Sequence, residues 1–259
     1  MSFSSLNQFY SIIDEFSLIY ERHNSSHYLL ELNESENLIK SFEPYLHKLR
    51  EEERLNTPHF NLFQLLGIKH LEAVVHTPFL ADLFNPEGTH SQGSLFLDIF
   101  LKNYIHNRLE FIKSYSIEYF HIYKEYTFSN GQIDILLHYK HPLKNKQFAI
   151  LIENKIGAGD QRNQMKRYYD YLIKILKLDN KQIKLIYLTT DGHEPSEFSL
   201  NTELKLYLYS EGVLQMISYG NEIRKWLQVS LINIHSEKLK QSIIQYLEII
   251  NDISYEQDE

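Results

Sequence analysis

Apolar residues recur at helical spacing through the first part of the chain. Near the N-terminus the spacing is i, i+3, i+4, i+7, which predicts helix over residues 5–55 with a second segment over about 34–54. That segment ends in the charged run KLREEER, which is typical of a solvated helix face. The positions that define the first helix are Phe9, Ile12, Ile13, Phe16, Ile19 and Tyr20.

The helical pattern continues over residues 61–84. It breaks near Thr77-Pro78, where a proline fits the first turn of a new helix. The stretch NPEGTHSQG is rich in turn residues, and the segment SLFLDIFLKNYI after it is predicted to be helical again.

From Ile122 the apolar spacing changes to two, which is typical of strands. An amphipathic helix is predicted in DQRNQMKRYYDYLIKIL, and two helices near NEIRKWLQ and SEKLKQSIIQYLEII close the chain. This order predicts an α/β domain with a mixed sheet and a helical N-terminal extension. The predicted strands lie in EYTFSNGQIDILLHY, KQFAILIENKI, IKLIYLTTDG and LKLYLYS.

Composition narrows the class of protein. The 259 residues, 43% of them hydrophobic, suit one large or two small globular domains. There is no cysteine, which excludes disulfides, thiolate zinc sites and a cysteine nucleophile. No signal peptide or membrane span is evident, so we expect a cytoplasmic protein. The net charge of −8 argues against a uniformly basic surface for nucleic acid, although local basic patches are compatible with it.

Polar residues interrupt the most apolar of the predicted strands, AILIENKI at residues 149–156. Side chains alternate along a strand, so Glu153 and Lys155 point to one face and Asn154 points to the other. The plain interpretation is an ion pair at the end of a sheet, because isolated E-x-K strings are common.

The preceding strand strengthens a chemical interpretation. If QIDILLHY and FAILIENK form a hairpin closed at Tyr139 and Phe148, Asp134 lies directly opposite Glu153, with Cβ atoms about 5 Å apart. Two such carboxylates repel each other unless a cation lies between them, and Mg²⁺ prefers oxygen ligands of this kind. A neighbouring ammonium, that of Lys155, can position water or stabilise phosphodiester charge. The pattern predicts metal-assisted phosphodiester hydrolysis.

Other polar residues near this strand are weaker candidates. Gln161, Gln164 and Tyr168 are spaced i, i+3, i+7 on one predicted helix face, where they can contact a phosphate or a base. Taken alone, this stripe favours solvated glutamines and a core tyrosine. His76 and His90 flank the helical break, and we interpret them as packing or capping residues because neither has a partner at a metal-binding spacing.

The strings GQID, ENK and QxxxY resemble the PD-(D/E)xK nuclease superfamily, with Ile133-Asp134 in place of Pro-Asp. The QxxxY string resembles its RecB-like exonuclease branch. Over residues 60–250 the chain is similar to bacterial families of this superfamily whose members are largely uncharacterised. The resemblance implies a restriction-endonuclease-like αβββαβ core. We therefore divide the chain into a helical extension (1–58), a nuclease-like domain (59–252) and an acidic tail (253–259), the last identified by its charges.

The resemblance also implies Mg²⁺-dependent cleavage of nucleic acid, with Mn²⁺ able to substitute. It assigns Asp134 and Glu153 as metal ligands, with the backbone carbonyl of Asn154 as a third ligand. It assigns Lys155 to the attacking water.

A helix glutamate completes such sites in the superfamily, and Glu72 matches its place, contacting the metal directly or through water. Glu87 competes for this role, but a turn anchors a ligand less firmly than a helix. Gln164 and Tyr168 match the accessory motif. The predicted catalytic set is therefore Glu72, Asp134, Glu153, Lys155, Gln164 and Tyr168.

Two functional hypotheses follow. The first is a metal-dependent nuclease that acts on DNA. The second is a catalytically silent nuclease-like fold that binds nucleic acid or protein in a bacterial defence or regulatory complex. In either case the N-terminal helices are candidates for forming a homodimer or binding a protein partner.

Overall fold

The computed structural model describes residues 8, 10–15, 17, 26–57, 60–105, 115–143 and 146–255. The chain divides into two compact units, Met1–Phe60 and Asn61–Glu259. The first unit contains helix α1, Ser26–Asn56, whose charged run is mostly exposed, as a solvated helix face should be. Several positions predicted for the first helix lie outside the described residues, namely Phe9, Phe16, Ile19 and Tyr20. A role for this unit in dimerisation stays a prediction.

The second unit begins with short helices. The helical segment predicted over residues 61–84, with a break near Thr77-Pro78, is wrong in part, because the interruption lies at residues 66–71. An α-helix, α3, does begin at Thr77 with Pro78 in its first turn, but it follows a π-helical turn directly, so the predicted break at this point is absent. The elements are α2 (Leu62–Leu65), a π-helical turn (Glu72–His76), α3 (Thr77–Phe84) and α4 (Leu95–Tyr104).

A five-stranded mixed sheet forms the centre of this unit, in agreement with the predicted fold class. The strands follow chain order across the sheet, with β1, β2 and β3 antiparallel and β3, β4 and β5 parallel. They are β1 (Phe120–Phe128), β2 (Gly131–Lys140), β3 (Gln147–Lys155), β4 (Ile183–Thr189) and β5 (Leu214–Ser218).

Helices connect and follow the parallel strands. After β3 come α5 (Gln164–Asp170) and a π-helical turn (Tyr171–Ile175), and α6 (Thr202–Ser210) follows β4. After β5 come a π-helical turn (Tyr219–Ile223), α7 (Arg224–Leu231) and α8 (Glu237–Tyr255). The two predicted C-terminal helices are therefore confirmed.

The strand predicted in LKLYLYS is wrong, because these residues form most of α6. Their alternating pattern imitates a strand, but Leu208 is buried whereas Leu206 is 63% exposed. The side chain of Asn201 accepts a hydrogen bond from the Leu204 amide and starts the helix. The fifth strand of the sheet is instead β5, whose five residues were not predicted as a strand.

The sheet is covered on both faces, which explains the unbroken apolar run in β3. On one face Ile135, Ile150 and Ile152 belong to a core that includes Trp226 of α7. On the other face Leu136 and Leu151 belong to a second core, with residues of α5. Strands that are buried on both faces have continuously apolar sequences, because no side chain faces solvent.

The end of the chain differs from the predicted domain boundary. Helix α8 continues to Tyr255, and Ile253 is buried, so the segment predicted as an acidic tail begins inside a packed helix. Residues 256–259 lie outside the described residues. In the part of the chain that the structure describes, none of the helices combines the length and apolarity needed to cross a bilayer.

Candidate active site

The predicted register of the β2–β3 hairpin is confirmed. Tyr139 pairs with Phe148 and Ile135 pairs with Ile152, with no slip between them. The same register sets Asp134 opposite Glu153, one residue beyond the last pair of the ladder.

Strand β3 extends past the end of its ladder with β2. Beyond that point, its main-chain N–H groups bond to acidic side chains instead of to a neighbouring strand. The amide of Asn154 donates to Oδ2 of Asp134 at 2.7 Å, and the amide of Ile156 donates to Oε2 of Glu72 at 2.7 Å. The N–H and C=O of one strand residue point to the same side. The carbonyl of Asn154 therefore faces the gap that the two carboxylates border.

The backbone opposite Asp134 has an unusual conformation. Glu125 of β1 has a φ of 49°, between the regular pairs Lys124–Ile135 and Tyr126–Ile133. A left-handed conformation disfavours a side-chain-bearing residue by about 1–2 kcal/mol. Local disruptions of strand pairing occur often beside active sites, where they re-aim a side chain. Here the disruption lies at the strand position that carries Asp134.

Glu153 and Lys155 form a buried ion pair on one face of the sheet. Their Oε1 and Nζ atoms are 2.7 Å apart, and the side chains are only 1% and 7% exposed. Nε2 of Gln164 donates to the same Oε1 at 2.6 Å. The other oxygen of Glu153, Oε2, is buried without a hydrogen-bond partner among the residues that the structure describes.

Burial dominates the electrostatics of this cluster. Burial, followed by the nearby charge of Asp134, raises the pKa of Glu153 to about 8, and Lys155 opposes the shift. Burial also raises the pKa values of Asp134 and Glu72. Burial alone would lower the pKa of Lys155, but the charge of Glu153 raises it overall, which favours the ammonium form.

A pocket of about 480 Å³ joins these side chains. Residues of the β1–β2 turn and of the loop after β3 complete its wall. Within the described ranges, no three histidine, aspartate or glutamate side chains form a cluster that could hold a metal ion. A cation here would rely on two carboxylates and a main-chain carbonyl. The predicted site residues that line the pocket are Glu72, Asp134, Glu153, Lys155, Gln161 and Gln164.

Comparison with known families agrees with this geometry. Residues 60–248 match the sequence profile of the PD-(D/E)XK nuclease superfamily. The chain belongs to that superfamily. Searches of curated proteins and of solved structures found no significant match.

The matched range includes the strand residues of the site. Ile133-Asp134 and the string Glu153-Asn154-Lys155, which has the form (D/E)xK, both lie within the matched residues. The match covers β1 to β5 and most of α8, so it includes the whole sheet that positions these residues.

The accessory glutamine and tyrosine have a different geometry from the predicted stripe. The prediction that Gln161 shares a helix face with them is wrong, because α5 begins at Gln164. The main-chain N–H of Gln161 instead donates to Oε1 of Gln164 at 3.1 Å. Tyr168 is fully buried, and its hydroxyl donates to the carbonyl of Gln132 at 2.5 Å. Gln164 also donates to this hydroxyl, at 3.2 Å. Gln164 and Tyr168 thus support Glu153 from behind.

The two histidines of the helical break have structural contacts, as we interpreted from the sequence. Nε2 of His76 is 2.8 Å from the Lys69 carbonyl, and Nδ1 is 2.9 Å from the Tyr246 hydroxyl. Burial lowers the pKa of His76 to about 4. Nε2 of His90 is 2.9 Å from the Asn85 carbonyl, so this ring closes a turn. Glu87, the competitor of Glu72, does not line the pocket.

Sequence reasoning missed two residues that hold the loop after β3. Tyr187 of β4 pairs with Glu153, and its hydroxyl donates to Oδ1 of Asp160 at 3.0 Å. The other oxygen of Asp160 accepts from the Ser196 amide at 2.8 Å. The available signal was the position of Tyr187 on the strand next to the (D/E)xK string.

Proposed function

We propose that the protein is a metal-dependent nuclease that hydrolyses phosphodiester bonds of DNA. The observation that carries this proposal is the convergence of three carboxylates and one lysine in a single pocket at the end of β3. Membership in a superfamily of mostly metal-dependent nucleases supports it.

The residues of the pocket fit a hard divalent cation such as Mg²⁺. Asp134, Glu153 and the carbonyl of Asn154 would hold it, with Glu72 contributing through water. The buried Oε2 of Glu153, which lacks a hydrogen-bond partner among the described residues, supports this assignment. When bound, the ion would neutralise phosphodiester charge and lower the pKa of a bound water.

Lys155 is suited to position water and to stabilise negative charge on the phosphate. Its ammonium lines the pocket and is held 2.7 Å from Glu153, so its place is fixed before a substrate arrives. Gln164 restrains the same carboxylate through a 2.6 Å hydrogen bond, and Tyr168 restrains Gln164. These contacts keep the reacting groups in one arrangement.

The charges of the pocket make a cation necessary. Glu72, Asp134 and Glu153 outnumber Lys155, so without a divalent ion the wall repels a phosphodiester whenever the carboxyls are ionised. We therefore expect no cleavage in the presence of a chelator.

One observation favours a second function. Oε1 of Glu153 is already bonded to both Lys155 and Gln164, which satisfies this oxygen without a metal. A nuclease-like fold that binds nucleic acid or protein without cleaving would tolerate such an arrangement.

A cleavage assay separates the two functions. The purified protein is incubated with plasmid, linear duplex DNA, single-stranded DNA and RNA, each with Mg²⁺, Mn²⁺ or a chelator. We expect metal-dependent cleavage of DNA that Asp134→Ala and Lys155→Ala abolish. Lys240→Ala, which removes a half-buried lysine of α8 that is paired with Glu237 at 2.9 Å, is the matched control and should retain activity. Intact substrates with folded protein would favour the binding function.

A further inference from the structure

Asn154 is a buried amide on an apolar face of β3. Its neighbours on that face, Ile152 and Ile156, belong to the core that surrounds Trp226, and Asn154 itself is 0% exposed. A buried amide is unfavourable unless its polar atoms are hydrogen-bonded. A leucine would fill such a position without any partner, so the amide requires a structural reason.

Two buried hydroxyls hold the Asn154 side chain. Its Nδ2 donates to Oγ1 of Thr77 at 3.1 Å, and its Oδ1 accepts from the hydroxyl of Tyr219 at 2.8 Å. Thr77 begins α3 and is 1% exposed, whereas Tyr219 follows β5 and is fully buried. The side chain is therefore anchored to two different elements on one side of the sheet.

The Tyr219 ring is itself fixed. It packs edge-on against His76 with ring centroids 5.4 Å apart, and His76 contacts the hydroxyl of Tyr246 in α8. Fully satisfied buried polar networks of this type specify one arrangement of their members. Rotation of Tyr219 away from Asn154 would break this packing.

The main chain of the same residue faces the candidate active site. The main-chain N–H of Asn154 donates to Oδ2 of Asp134 at 2.7 Å. The main-chain carbonyl of Asn154 points to the same gap. The main chain of this one residue thus orients two of the three oxygens that we assign to a cation, that of Asp134 and its own carbonyl oxygen.

We infer that Tyr219 and Thr77 are positioning residues for the metal site. By holding the Asn154 side chain from behind the sheet, they fix the main chain that aims Asp134 and the Asn154 carbonyl. The inference rests on the proposed function, because it takes these two oxygens as metal ligands. Neither residue touches the pocket, so neither is a catalytic residue.

Two measurements on the full chain without substrate test the inference. Calorimetry gives the Mn²⁺ dissociation constant, and hydrogen exchange of a peptide spanning residues 151–156 reports the hydrogen bond between the Asn154 amide and Asp134. For Tyr219→Phe and Thr77→Val we expect Mn²⁺ affinity to fall by about 10-fold or more, as for other residues that orient metal ligands. Exchange should become faster. Thr77→Ser, which retains the hydroxyl, should behave like the wild type.

Tyr171→Phe is the matched control for a purely structural loss. Tyr171 is 5% exposed and its hydroxyl bonds to that of Tyr126 at 2.9 Å, on the opposite face of the sheet. We expect a loss of thermal stability similar to that of Tyr219→Phe, with unchanged Mn²⁺ affinity and unchanged exchange over residues 151–156.

The inference is overturned if Tyr219→Phe and Thr77→Val change Mn²⁺ affinity and exchange no more than Tyr171→Phe does. If Tyr219→Phe does not fold, the comparison of Thr77→Val with Thr77→Ser decides. If the wild type binds no Mn²⁺, the proposed function fails, and the exchange measurement alone then decides whether the two hydroxyls hold the Asn154 main chain.

Discussion

The two faces at the end of β3 have opposite chemistry. On one face Glu153 and Lys155 border a pocket as charged groups. On the other face Asn154 and its partners Thr77 and Tyr219 form a neutral, fully buried hydrogen-bonded group. Strand alternation allows this division, because adjacent residues point to opposite sides. Changes on the charged face should therefore affect metal binding and catalysis, whereas changes on the neutral face should affect stability as well.

The largest expected effect is on the charged face. Lys155→Ala should reduce the rate of DNA cleavage by about 10³-fold or more, equivalent to about 4 kcal/mol of transition-state stabilisation. The variant should have a lower melting temperature, because Glu153 loses its buried partner, but it should stay folded under assay conditions. Unfolding of this variant under assay conditions would break the comparison, since it would give Lys155 a mainly structural role.

A lower pH should destabilise the folded protein by protonating His76, which packs against Tyr219 on the neutral face. The Lys69 carbonyl can only accept, so the proton of the neutral ring lies on Nε2 and the Tyr246 hydroxyl donates to Nδ1. The pKa of His76 is about 4, well below its ordinary value near 6.5. The unfolded chain therefore binds a proton that the folded chain does not. Stability is fully present above about pH 6.5 and falls by about 3 kcal/mol as the pH drops to 4.

Urea unfolding at pH 7 and pH 4.5 measures this slope. His76→Gln should flatten it. His138, whose pKa burial also lowers to about 4, adds a separate share, so His138→Gln should flatten the slope independently. The raised pKa of Glu153 acts in the opposite direction, which is why variants are compared rather than the wild type alone. An identical slope in His76→Gln and the wild type would contradict the assignment.

The buried amide gives the next effect. Asn154→Ala leaves the hydroxyls of Thr77 and Tyr219 unpaired, and we expect a loss of about 2 kcal/mol in the free energy of unfolding. The measurement is urea unfolding at pH 7. Asn180→Ala is the control, because that amide contacts Tyr169 and Tyr207 near the surface, and we expect it to change stability by roughly 0.5 kcal/mol or less. Equal losses of stability in Asn154→Ala and Asn180→Ala would show that the buried side chain of Asn154 contributes no more to stability than one near the surface.

The smallest effect concerns the strained backbone opposite Asp134. Glycine adopts a positive φ readily, so Glu125→Gly should increase the free energy of unfolding by about 1 kcal/mol or less. Thermal unfolding at pH 7 measures the change. A decrease in stability would mean that the Glu125 side chain makes a favourable contribution larger than the backbone strain.

The sequence predicted the part of the site that local patterns specify. The alternation in β3 and the length of the β2–β3 turn were enough to set Asp134 opposite Glu153. The disruption at Glu125 was not predictable, since its φ depends on the pairing of two strands and on the side chains around them. The hydrogen bond from the main-chain N–H of Asn154 to Asp134 was not predictable either, because it forms only where the β2–β3 ladder ends.

The errors in secondary structure have a similar origin. LKLYLYS alternates in polarity as a strand does, yet the cap at Asn201 and the surrounding fold make it a helix. The segment LQMIS forms β5 because it pairs in parallel with β4. This long-range pairing cannot be predicted from the five residues alone. Tertiary contacts override weak local preferences in both cases.

Titration of Mn²⁺ into the protein by calorimetry tests the central claim most directly, because the claim is that Asp134, Glu153 and the Asn154 carbonyl share one hydrated cation. The informative variant is Asp134→Asn, which retains an acceptor for the Asn154 amide and removes one charge. We predict saturable Mn²⁺ binding by the wild type that Asp134→Asn loses while it stays folded. Equal Mn²⁺ binding by the two proteins, or none by the folded wild type, would contradict the account.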